Sequence, residues 1–88
     1  SYTLSLQYVE GAGDDLCWVD VSNKSGQEII CKIDVNHIFF QHFGKPTDAI
    51  TAILKTIAIA KFTAKEQGND TAGELLTYFN QYIKETKV

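Results

Sequence analysis

Eighty-eight residues, 44% of them apolar and 22% charged, suffice for one domain around a single core and exclude a disordered or low-complexity chain. All eight basic residues are lysine, arginine is absent and the net charge is −3. That balance argues against nucleic acid as a partner, because arginine makes the bidentate contacts to phosphate and guanine, and no apolar run approaches the roughly 20 residues of a membrane span.

Tyr2, Leu4, Leu6 and Tyr8 alternate with Thr3, Ser5 and Gln7, the period of two that marks a half-buried strand. The chain starts on this strand without a Met, as a piece excised from a longer protein does; a processed or trimmed N-terminus would look the same. Residues 1–15 have neither a basic start nor an apolar block, so no signal peptide is expected and the cytoplasm is the expected compartment. Glu10 to Asp15, with two glycines and three acids, reads as a surface loop. Its acids lack the alternating ligands of an EF-hand, and Gly11-Ala12-Gly13 does not match a nucleotide-binding loop.

A second strand over about Leu16–Ser22 puts Cys17, Val19 and Val21 on one face. A third over about Gln27–Val35 puts Ile29, Cys31, Ile33 and Val35 on one face, with Ile30, Lys32 and Asp34 on the other. Pairing Asn23 with Gln27 around a Lys24-Ser25-Gly26 loop sets Val21 against Ile29, Val19 against Cys31 and Cys17 against Ile33. The two cysteines are then diagonal rather than opposed, and both are expected to be buried, reduced thiols.

Beyond residue 45 the period changes. Pro46-Thr47-Asp48 opens a helix whose residues Ile50, Ile53, Leu54, Ile57, Ala58, Lys61 and Ala64 follow helical spacing. Ile59, Ala60 and Phe62 add apolar surface on the opposite side, so this helix is apolar nearly all round and is expected to be the most buried element. Ile53, Leu54 and Ile57 are the expected centre of its core face. It should end near Gln67, with Gly68 as its stop. Thr71 to Glu74 has capping-box spacing, and the helix that follows carries Leu75, Leu76, Phe79, Tyr82 and Ile83 on one face. The order β-β-β-α-α predicts an α+β fold: a three-stranded antiparallel sheet with two antiparallel helices packed on one face, over residues 1–88 as a single domain.

The segment Asn36 to Phe43 holds three Phe and two His. Histidines five apart lie on different helical faces, no Cys or carboxylate stands at ligand spacing, and no nucleophile adjoins either ring, so neither metal nor catalysis is expected there. Asn36 is read as the cap of a short helical turn. His37, Phe39, Phe40 and Phe43 are the candidates for lining a pocket between sheet and helices. Trp18 falls on the strand face opposite Cys17 and Val19, and in the register above it neighbours Ile30 and Lys32. With helices on the other face, this aromatic–aliphatic pair is a candidate contact surface.

The run Lys32-Ile33-Asp34-Val35-Asn36-His37-Ile38-Phe39-Phe40, followed by an Ile/Leu/Ala-rich helix and a second helix, resembles a segment in GHKL-type ATPase homologues of phage and mobile elements. There, downstream of the ATPase module, a strand ends in an Asn-x-x-His-Pro-Phe-Phe-like run. The likeness spans roughly residues 16–83, without the Pro and with the His one or two places early. The ATP-binding motifs of that family are absent here, so the resemblance implies a non-catalytic domain downstream of an ATPase and carries over no catalytic residue.

Two functions are left open by these residues. The first is a non-enzymatic interaction or assembly module, binding a protein partner or itself as a homodimer, through Trp18, Ile30 and Lys32 or through the outer side of the central helix at Ile59 and Phe62. The second is a small-ligand or lipid-type binding domain with its pocket at His37, Phe39, Phe40 and Phe43. No cofactor and no membrane are expected for either.

Overall fold

A computed structural model describes residues 3–12 and 19–86. The chain divides into two compact units, Ser1–Thr47 and Asp48–Val88.

The first unit holds strands β1 (Thr3–Val9), β2 (Val19–Ser25) and β3 (Glu28–Asp34) and the short helix α1 (Ile38–Phe43). The sheet is mixed, not antiparallel throughout: its order is β1-β3-β2, with β1 parallel to β3 and β2 antiparallel to it. A meander of the same three strands would keep these directions and change only the neighbours. β3 occupies the centre because it carries Ile29, Ile30, Cys31 and Ile33, whereas β2 carries Asp20, Asn23 and Lys24, which suit an edge. Nine residues separate Val9 from Val19. At about 3.3 Å each they easily cross the roughly 10 Å of two strand spacings.

The hairpin register also differs from expectation. Val19 faces Ile33, Val21 faces Cys31 and Asn23 faces Ile29, a shift of two residues. A bulge at Lys24 absorbs it, so that Ser25 faces Glu28 and Gly26, at φ +52°, turns the chain. The Asn23 side chain holds this end by donating to the Gly26 and Glu28 carbonyls at 3.0 and 2.9 Å. A shift of two preserves the faces. Leu4, Leu6, Tyr8, Val19, Val21, Ile29, Cys31 and Ile33 share one side, and Ile29, Cys31 and Ile33 are fully buried there. Cys17, expected on the same face, lies outside the described residues.

The second unit holds α2 (Asp48–Glu66) and α3 (Ala72–Tyr82). α2 ends as its glycine dictates. Gly68, at φ +72°, donates its N–H to Lys65 O, and Asn69 donates to Ala64 O, the paired bonds of a Schellman stop. α3 starts at Thr71, whose hydroxyl accepts the Glu74 N–H at 3.2 Å. Buried residues of α2 are Leu54, Thr56, Ala58, Ala60 and Ala64. Of the expected core centre only Leu54 is therefore deeply buried: Ile53 is 39% exposed and Ile57 half-buried. The short Ala and Thr side chains stay close to the helix axis, while Ile57 reaches into a seam beside α3 that is open. Thr56 is buried with its hydroxyl 2.7 Å from both the Ala52 carbonyl and the Thr86 hydroxyl, and Thr86 in turn donates to Tyr82 O at 3.0 Å.

Candidate functional site

The segment after β3 is tied to the end of β1 by a polar knot. One Asp34 oxygen, Oδ1, accepts the Gly11 N–H at 3.0 Å and the Asn36 N–H at 2.9 Å, and the Asn36 side chain donates to Gly11 O at 2.9 Å. A Cβ at Gly11 would lie 2.6 Å from Asp34 Oδ2, so a larger residue there would have to displace the carboxylate that holds the knot. Asn36 is thus a clamp on the β1 side, and the expected cap role falls one residue later. His37, extended at φ −61° and ψ 148°, accepts the Phe39 N–H on Nδ1 at 3.1 Å.

The four pocket candidates differ in exposure. His37 and Phe40 are buried, Phe39 is half-buried and Phe43 is 76% exposed. The rings touch one another: Phe39 and Phe40 meet edge to face at 5.3 Å between centroids, and Phe39 and Phe43, four apart on the helix, are tilted at 4.9 Å. His42 is exposed on the same helix.

On the sheet, the face opposite the buried one carries Ser5, Gln7, Asp20, Ser22, Ile30 and Lys32. Ile30 faces Ser22 and Ser5, and Lys32 faces Asp20 and Gln7. Trp18, the expected anchor of this face, lies outside the described residues. With the register displaced by two, the cross-strand neighbours assigned to it in the sequence belong to Ser22 and Asp20 instead. Ile59 and Phe62, the candidates on α2, are both half-buried.

One feature of the second unit escapes sequence reasoning. Ile57, Leu75, Leu76 and Phe79 line an open recess of about 160 Å³ between α2 and α3. No residue of α3 is buried, although one of its faces is apolar along the whole helix, and Leu76 is 57% exposed. The helical spacing of Leu75, Leu76 and Phe79 is legible in the chain, but the same spacing serves a buried face and an open one. Tyr78 and Tyr82 stack at 6.1 Å on the same helix.

Little titration chemistry accompanies these surfaces. Burial first, and then the charge of Asp20, pushes the Cys31 thiol from 9.0 up to about 11. Among the described residues no three His, Cys, Asp or Glu side chains come together as metal ligands. No described helix is long and apolar enough to cross a membrane. In comparisons with known proteins the chain matches no family model, no curated protein and no solved structure.

Proposed function

We propose that this chain is a non-enzymatic interaction or assembly module acting on a protein partner or on a second copy of itself. The observation that supports the reading is the apolar face of α3, where Leu75, Leu76 and Phe79, with Ile57 of α2, border a recess and none of the α3 residues is buried. Exposed apolar area of this kind is where association gains most from excluding water. The sheet face of Ile30 and Lys32, with Trp18, and the α2 flank of Ile59 and Phe62 are the other surfaces this reading uses. A reducing cytoplasm suits the protonated, buried thiol of Cys31. On the resemblance of residues 16–83, the module serves a larger assembly that includes an ATPase.

Native mass spectrometry and light scattering across concentration test the reading. A mass that rises with concentration, or with an added partner protein, and is lost in Leu76→Asp or Trp18→Ala with the melting temperature unchanged is the expected result. If Trp18→Ala melts the protein and association survives, the contact belongs to α2 or α3. A second reading, a site for a small apolar ligand, is favoured by the wholly apolar lining of the recess. A native mass exceeding the chain by a small constant amount at every concentration would establish it and overturn the first.

A further inference from the structure

The recess bordered by Ile57, Leu75, Leu76 and Phe79 meets solvent at Leu76, the most exposed of the four. The charges around that opening are placed by helical spacing: residues four or eight apart share a side of a helix, and residues two or nine apart face oppositely. On α2, Lys61 and Lys65 follow Ile57 by four and eight residues, and both are exposed. Asp48 and Glu66 stand nine residues before and after Ile57, and Lys55 two before it, all on the far side of the helix.

α3 repeats the division. Glu74 precedes Leu76 by two residues and Glu85 follows it by nine, again on the far side. Lys84, eight after Leu76, is exposed on the near flank. The helical path carries on that far, because Ile83 keeps an αR backbone and Thr86 donates its N–H to Tyr82 O at 3.1 Å. Asp70 belongs to the connection between the helices. In a chain with eleven acids and eight lysines, the charged residues of the two helices beside this opening are lysines alone.

An apolar floor with a cationic rim selects an occupant that is apolar along one stripe and acidic on its flanks. Ile53, one turn before Ile57 and 39% exposed, prolongs the apolar strip along α2. The surface is therefore a seam, and a third helix fits a seam between two others by the same ridges and grooves that pair them. Its depth suits one large anchor: the recess measures about 160 Å³, and an apolar cavity of about 150 Å³ holds a benzene ring.

We infer that this recess, on its reading above as a contact surface, binds an acidic amphipathic helix of another protein. One Leu or Phe of that helix enters the recess, and Asp or Glu residues beside it lie against Lys61, Lys65 and Lys84. A second copy of this chain does not match the same face, since a two-fold axis there sets lysine against lysine. Nor does a nucleic acid, because three lysines supply too few phosphate contacts.

Fluorescence anisotropy of the full chain with two labelled helical peptides of about 16 residues tests the pairing. Both carry leucines at spacings of three and four along one face; the flanking positions are Glu in one and Lys in the other. The Glu peptide should bind at least about tenfold more tightly at about 0.05 M salt, and the ratio should shrink at about 0.5 M. Leu76→Asp should abolish its binding. Lys61→Glu/Lys84→Glu alters exposed side chains only and should reverse the preference with circular dichroism unchanged, which decides the matter even if Leu76→Asp unfolds the protein. Failure of the Glu peptide to bind overturns the inference, as does equal binding of both peptides or binding that survives a folded Leu76→Asp. Binding to phosphatidylserine vesicles but to neither peptide overturns it in favour of a lipid surface. A mass that rises with concentration and is lost in Leu76→Asp, without Glu-peptide binding, overturns it and leaves the contact surface standing. If neither association nor peptide binding is seen, the contact surface falls as well.

Discussion

Cys31 is the residue whose chemistry the fold changes most. It sits at the middle of the central strand, fully buried, with its thiol pushed from 9.0 up to about 11 by burial and then by the charge of Asp20. Because its pKa is raised in the folded state, the group's contribution to stability is complete below about pH 8.5, the ordinary thiol range, and is lost as pH rises toward 11. Unfolding free energies should therefore show an alkaline loss of about 2 kcal/mol that is missing in Cys31→Ala, measured by urea denaturation at pH 8 and pH 10.5. In a Cys17→Ala background, maleimide should label Cys31 at neutral pH at least about 100-fold more slowly than in the unfolded chain. Rapid native labelling would place the thiol at the surface. Around the knot at Asp34 the same scale applies to a glycine outside any turn: a Cβ at Gly11 would meet the Asp34 carboxylate and push it from its place in the knot.

At the scale of elements, α2 and α3 differ in what they bury. α2 encloses Leu54 and a set of small residues, while α3 has none of its residues buried and borders an open recess. The two large residues three apart on α2 should then respond differently to truncation. Leu54→Ala removes a side chain that is 4% exposed and should destabilise by about 2–5 kcal/mol, whereas Ile57→Ala, at the rim of the recess, should lose only about 1 kcal/mol. Chemical denaturation monitored by circular dichroism measures both. Equal losses would mean that the recess is closed in solution. The helix ends, by contrast, were readable beforehand. The Gly68 stop and the Thr71 cap each involve residues within a few positions, and local bonds are written locally. The cap of α1 shows how narrow such a reading is. Asn36 and His37 both have a side-chain acceptor to offer an N–H group, and only the distant Gly11 decides that Asn36 is occupied elsewhere.

At the scale of the whole molecule, charge sets what the surface attracts. Eight lysines against eleven acids, with no arginine, leave a net charge of −3 and no basic stripe. Fluorescence anisotropy with duplex DNA or RNA at about 0.15 M salt should show no binding at micromolar protein, since such affinity comes from released counterions. Tight binding would point to a basic cluster formed between copies.

What the chain by itself determined is its set of elements: three strands from a period of two, two long helices from a period of 3.6, and the α+β class from their order. The shared face of Leu4, Leu6, Val19, Val21, Ile29, Cys31 and Ile33 was also legible, because alternation survives any even shift of register. Only the tertiary structure decided that β1 lies beside β3 in parallel, that Val21 faces Cys31 rather than Ile29, and that the α3 face is left open. The reason is physical. Periodicity and caps depend on neighbours within about four residues, whereas strand order, register and exposure depend on which of several apolar surfaces meet. The bulge at Lys24 and the length between Val9 and Val19 permit more than one such meeting, and burial of the most apolar strand at the centre selects among them.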